Sequence, residues 1–154
     1  MLFRSTNLKA NGAACTVGTE CFSANCTDGF CCTAASCGTC ATCAFPSFQG
    51  TCHPVDPGDA DPTGTCMMMP PCGTTGTCDG AGHCATYAAG TPCGASTCSA
   101  ATLTTSTCDG AGQCTQATTD CGGYVCADAT TCRTTCSDSA DCATSKVCNA
   151  PTCM

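Results

Sequence analysis

Three cysteines in "CGTCATC", Cys37, Cys40 and Cys43, stand at the C-x2-C-x2-C spacing that can hold an iron–sulfur cluster. The bacterial cluster run goes on to a fourth cysteine after three residues, followed by proline, whereas here "AFPSFQGT" delays the next thiol to Cys52. A single cluster would also leave most of the other cysteines unexplained. Zinc or metallothionein-type binding is no better supported, because C-x-C is absent and few lysines stand beside the thiols to balance thiolate charge. The acidic stretch "DPGDADPTG" offers Asp56, Asp59 and Asp61 as oxygen ligands for a hard cation such as calcium. It lacks the DxDxDG order and the distal Glu of an EF-hand, so the plainer reading is a solvated turn shaped by Pro57 and Pro62. Met67 and Met69 of "MMMPP" could face Cu(I) with soft thioethers, but methionines also serve as an adaptable contact surface. Catalytic groups are scarce: His53, His83 and Glu20 are the histidines and the sole glutamate. A Cys–His nucleophile needs a free thiolate, which a fully paired framework denies. The expectation is therefore a protein that is not an enzyme and carries no metal and no cofactor.

What must position these residues is set by composition. Leu, Val and Phe together number 12 of 154, and Ile and Trp are absent. So small an apolar set falls far below the level at which burial offsets ordering entropy. Cysteine supplies the substitute. An even count of 24 is far above the threshold for a disulfide scaffold. Bridges closing loops of about 10 residues stabilise by roughly 2.5–3 kcal/mol each in the chain-entropy picture. All 24 are expected to pair, one set per module and mostly within about 20 residues, in an oxidising compartment.

Net charge of −7 with four basic residues, Arg4, Lys9, Arg133 and Lys146, excludes the basic stripe that nucleic-acid binding requires. No apolar run approaches the roughly 20 residues of a membrane span. "MLFRSTNLKA" is too short in apolar character for a signal peptide, so export is inferred from the thiols instead.

Cysteine spacing divides the chain into segments. Residues 1–14 form an N-terminal arm without cysteine. Residues 15–32 are a module holding Cys15, Cys21, Cys26, Cys31 and Cys32. Residues 33–72 contain the C-x2-C-x2-C run, Cys52, the acidic loop, Cys66 and Cys72. Two repeats follow. "CDGAGHC" lies in 73–103, with Cys78, Cys84, Cys93 and Cys98. "CDGAGQC" lies in 104–135, with Cys108, Cys114, Cys121, Cys126 and Cys132. The last module, 136–154, places Cys136, Cys142, Cys148 and Cys153 much as 15–32 places its own. Recurrence at a period near 30 suggests stacked small units. Asp-Gly punctuation and 29 threonines read as short strands and tight turns, and in DGAG the glycines let the chain reverse between two cysteines.

The phrases "GAACTVGTECFSANCTDGFCC", "CGTTGTCDGAGHC" and "CRTTCSDSADC" resemble the cysteine-rich repeat proteins exported by myxobacteria and related bacteria. The end modules are also similar in spacing to EB-type and Dickkopf-type cysteine-rich modules. The bacterial resemblance covers residues 10–153 and implies an extracellular or cell-surface location, without implying a reaction. Analogy with such modules implies first-to-third and second-to-fourth pairing, Cys15–Cys26 and Cys21–Cys31.

The expected fold is small, disulfide-rich and mainly irregular β with tight turns. It has helix under about 15% and no single hydrophobic core, with its stapled modules in an extended row. The expected function is that of a structural subunit of an extracellular filament, appendage or surface layer, a homopolymer whose partners are copies of itself. Leu2, Phe3 and Leu8, a quarter of all Leu, Val and Phe, sit in the arm where no bridge fixes them, and are expected to make the assembly contact. The alternative is a secreted adhesin that binds a glycan or surface ligand through loops 44–65, with Phe45 and Phe48 as its aromatic patch.

Overall fold

Threonine- and cysteine-rich segments between glycine turns build strands too short to stand alone, and each is tied to its partner by sulfur. The computed structural model describes residues 7–154. The first strands are β1 (Cys26–Thr27), β2 (Phe30–Cys31), β3 (Ala41–Thr42), β4 (His53–Pro54), β5 (Thr74–Cys78) and β6 (Cys84–Thr86). They are followed by β7 (Thr97–Ser99), β8 (Thr102–Cys108), β9 (Cys114–Asp120), β10 (Cys148–Asn149) and β11 (Thr152–Cys153). Helix among the described residues is limited to the 3-10 turns Gly18–Glu20 and Ser139–Asp141. The fold is thus disulfide-rich, irregular antiparallel β with little helix, as composition requires.

Two compact units divide the chain. One contains the residues up to Pro70 with Thr74–Thr86, the other Pro71–Gly73 with Tyr87–Met154. All 24 cysteines are joined, in 12 disulfides. Sulfur is also what fills the interior, since the buried apolar residues are all cysteines except Ala41 and Val55. They gather in separate small clusters: Cys40, Val55, Cys66 and Cys78; Cys15, Cys21 and Cys31; and Cys136, Cys142 and Cys153.

Both end modules fold alike. Cys15–Cys26 and Cys21–Cys31 pair first to third and second to fourth, and Cys136–Cys148 and Cys142–Cys153 do the same. In each, a 3-10 turn lies between the first two cysteines and a two-strand ribbon joins the last two, β1 with β2 and β10 with β11. The β1–β2 turn is the pair Asp28 and Gly29, at φ 54° and 82°, a two-residue reversal suited to strand twist. A cation supplied from upstream completes both modules. Lys9 pairs with Glu20, and Arg133 Nε lies 3.2 Å from Asp141 Oδ1.

The two DGAG phrases are structural repeats as well. Asp79 Oδ1 accepts from the N–H groups of Ala81 and His83 at 2.7 and 3.0 Å, and Asp109 Oδ1 accepts from Ala111 and Gln113 at the same distances. Each turn rests on an upstream loop through matching backbone bonds. Gly58 N–H donates to Cys78 C=O and Cys78 N–H to Asp59 C=O; Gly90 donates to Cys108 and Cys108 to Thr91. The approach is close enough to require glycine, because a Cβ at Gly80 would lie 2.5 Å from Pro57 Cγ.

These repeats are wider than their sequence phrases. Cys78 and Cys108 reach back 38 and 36 residues, to Cys40 and Cys72, while Cys84 and Cys114 reach back to Cys66 and Cys93. With Cys32–Cys43 and Cys98–Cys126, these bridges cross the segment boundaries expected from spacing. Pairing is therefore not one closed set per module. A hairpin of this size has no interior of its own, and its inner face is covered by the loop of the preceding segment.

The N-terminal arm is shorter than its lack of cysteine implied. Lys9 N–H donates to Glu20 C=O, Phe22 N–H donates to Lys9 C=O, and Lys9 Nζ donates to Ala14 C=O at 3.0 Å. Cys31 N–H donates to Ala13 C=O, so Lys9 to Ala14 belong to the first module.

Candidate assembly and binding surfaces

The C-x2-C-x2-C run is split among three bridges, Cys37–Cys52, Cys40–Cys78 and Cys32–Cys43. The sulfurs of Cys32, Cys37, Cys43 and Cys52 lie within 4.8 Å of one another, as two disulfides in contact. A metal ligand must be a thiolate, and these sulfurs are bonded to each other.

Asp61 was read as one of three oxygens on a solvated loop, and the structure gives it a different task. Its Oδ1 accepts from Cys40 N–H at 2.8 Å, and from the N–H and hydroxyl of Thr63 at 3.2 and 2.9 Å. Its Oδ2 accepts from the N–H and hydroxyl of Thr65 at 2.6 and 2.7 Å, and from Cys66 N–H at 3.1 Å. Burial alone would raise this carboxyl's pKa. The Thr65 hydroxyl, the Cys40 N–H and Thr63 outweigh it and hold the pKa far below the usual carboxylate range. Donors on this scale occupy about all the lone-pair sites a carboxylate has. Asp61 fixes the backbone of Cys40 and Cys66, whose sulfurs are 3.4 Å apart in two neighbouring bridges. Sequence carried a faint signal for this, since Asp followed at two and four residues by Thr is a local cap pattern.

Two measurements follow from that geometry. Asp61→Ala is expected to lower the thermal midpoint by several degrees, while Asp56→Ala leaves it nearly unchanged. Adding calcium should not move the midpoint of the unmodified protein. An unchanged midpoint for Asp61→Ala, or a rise with calcium, would contradict the structural role.

Acid sensitivity has the same origin. Backbone N–H groups of Ala81 and His83 lower the pKa of Asp79; those of Gln113 and Ala111 lower that of Asp109. Thr130 N–H lowers Asp128, Ser137 N–H lowers Asp141, and the Lys9 ammonium lowers Glu20. A carboxyl that holds its proton less tightly folded than unfolded stabilises the fold above the ordinary carboxylate pKa, about 4. That contribution is lost as pH falls through the folded value. Thermal stability should therefore be flat from about pH 5 to 8 and decline steadily below about pH 4. A profile that rises on acidification would contradict these bonds.

Aromatic residues of loop 44–51 do meet. The Phe45 and Phe48 rings each lie 4.4 Å, centroid to centroid, from the imidazole of His53, at 29° and 25°. Phe45 and Phe48 are 6.2 Å apart, and Phe48 is 53% exposed. Backbone bonds from Phe48 to Phe45 and from Gly50 to Cys43 brace this loop, and Cys37–Cys52 ties down the strand that carries His53.

Other apolar groups stand outward. Met67, Met68 and Met69 are all exposed, on a turn closed by Met69 N–H donating to Thr74 C=O. Phe22 is 83% exposed on the first module, beside exposed Leu8 and Val17 in sequence. Val147 and Met154 are exposed on the last module, where each N–H donates to the other's C=O. Of the expected assembly residues, Leu8 is half-exposed next to the docked Lys9, and Leu2 and Phe3 lie outside the described residues.

One further surface, unforeseen in the sequence, is an open sheet edge. In the β7–β8–β9 sheet, β8 is central and β9 pairs with it from Cys108↔Cys114 to Thr102↔Asp120. The opposite strand β7 is covered, since Cys98 N–H donates to Ala129 C=O. All seven residues of β9 are exposed. No cavity or cleft opens among the described residues, and no helix there is long and apolar enough to cross a membrane. No family model matches the chain, nor does any curated protein or solved structure.

Proposed function

We propose that this chain is a structural subunit of an extracellular, disulfide-stabilised filament, appendage or surface layer, joined to its copies through its N-terminal end. One observation carries the reading: large apolar residues stand exposed on the first and last modules. These are Leu8, Val17 and Phe22 on the first, and Val147 and Met154 on the last. In a chain with so few apolar residues, leaving them in water at its two terminal modules favours copies meeting end to end. Full cross-linking and the oxidising setting it needs support a location outside the cell.

The link runs from the N-terminal residues of one copy to module 136–154 of the next, a head-to-tail contact that need not close on itself. Oxidised protein should scatter light increasingly as its concentration rises, and mild detergent should reverse it. Strictly concentration-independent scattering would contradict self-association.

A second reading, a surface adhesin, is favoured by the Phe45–Phe48–His53 cluster on a braced loop. Exposed aromatic rings on a rigid loop suit the apolar face of a sugar. Under that reading Phe48→Ala abolishes retention on glycan-coated surfaces and leaves scattering untouched; under the subunit reading retention is absent in both proteins.

A further inference from the structure

Alternation in the β8–β9 ladder fixes which amides of β9 point away from the sheet. Cys121 N–H donates to Ala101 C=O, and Asp109 N–H to Gln113 C=O, at the two ends of the ladder. Between them, bonded pairs of an antiparallel ladder recur every second residue. Thr115, Ala117 and Thr119 therefore bond inward to β8, while the N–H and C=O groups of Cys114, Gln116, Thr118 and Asp120 face outward. The other side of β8 agrees, because Cys93 N–H donates to Ser106 C=O and Cys108 N–H to Thr91 C=O.

Open edges are normally blunted by charge, proline or a bulge. Residues 114–119 carry neither charge nor proline, in a chain whose net charge is −7. The register to β8 is unbroken over the full strand, and Gln116 Nε2 is turned inward onto Ser106 Oγ at 3.4 Å, leaving the edge uncovered.

We propose that this edge pairs with β9 of a second copy of the chain, antiparallel about a two-fold axis at Ala117. Self-pairing is the match the residues favour. About the axis, Gln116 faces Thr118 of the second copy, Thr115 faces Thr119, and Ala117 faces itself. Asp120 meets Cys114, so no like charges oppose one another. This register alone uses all four outward residues of each strand, giving about eight backbone hydrogen bonds. A slip of two residues leaves part of each edge unpaired, and a slip of one presents inward-bonded amides to the partner. The proposal rests on the self-assembly reading and adds to it. A two-fold contact joins two head-to-tail rows side by side.

Two substitutions test it without touching the ladder to β8. Ala117→Lys sets equal charges directly opposite one another at the axis. Thr118→Pro removes an outward N–H that β8 does not use, a place where an edge strand tolerates proline. Sedimentation velocity over a dilution series should give a dimer for the unmodified protein. Both variants should dimerise at least about tenfold more weakly while keeping all 24 cysteines protected from alkylation. About 1 M salt should restore Ala117→Lys and leave Thr118→Pro weak. Protein lacking residues 1–7 should still dimerise. If it does not, while Ala117→Lys does, the edge is not the contact and the N-terminal residues are. Variants that dimerise like the unmodified protein overturn the β9 contact and leave the subunit reading standing. An unmodified protein that stays monomeric at about 1 mM overturns both.

Discussion

Full reduction at neutral pH is expected to abolish the fold, not merely to loosen it. Sulfur is at once the cross-link and the core: among buried apolar residues only Ala41 and Val55 are not cysteine, and neither is large. Each bridge closes between 10 and 38 residues. In the chain-entropy picture that is about 2.5–4 kcal/mol apiece. Typical domain stability is about 5–15 kcal/mol, so losing even a few bridges exceeds the margin. No apolar cluster remains to hold a reduced intermediate, because the clusters are themselves made of half-cystines. Far-UV circular dichroism should change to that of an unfolded chain on reduction. Intact mass should show no alkylation before reductant and 24 additions after it. A native-like spectrum in the reduced protein, or several additions without reductant, would contradict a cystine-built interior.

Deleting residues 1–7 is expected to leave a folded, fully oxidised chain that no longer polymerises. The cut must stop there. Lys9 is part of the first module, through its backbone bonds to Glu20 and Phe22 and its ammonium on Glu20. A deletion through residue 10 would damage that module and confuse loss of assembly with loss of fold. Leu2 and Phe3 would each contribute about 1.5–3 kcal/mol if fully buried against a neighbour. Together that is roughly two to four decades in association constant. Fibre formation should fall below detection, while the alkylation pattern and dichroism stay as in the full chain. Fibres from the truncated protein would move the contact elsewhere, and a change in dichroism would mean that residues 1–7 serve the fold.

Much of this was legible in the sequence because cysteine, glycine and aspartate act locally. The near-absence of Leu, Val and Ile required a stapled β structure, and "CDGAGHC" required a reversal between two half-cystines; both are present. First-to-third and second-to-fourth pairing holds in both end modules.

The middle was not legible. The hairpins announce themselves by repeated words, but the loops beneath them, "DPGDA" and "AAGTP", share little beyond a glycine. Nothing local ties Cys78 to Cys40 across 38 residues. The role of Asp61 was masked by its neighbours Asp56 and Asp59, which made a turn nucleus look like one acid among three. Docking of Lys9 had a signal that composition concealed: one of four basic residues stands upstream of the sole glutamate. The β9 edge was invisible because openness is a property of what fails to pair, and no residue type encodes that.

Electron microscopy of the oxidised, untagged protein at rising concentration tests the central claim most directly. A self-assembling subunit predicts fibres or sheets with a regular repeat that vanish when residues 1–7 are removed. A uniform field of single, dispersed particles at every concentration would contradict it.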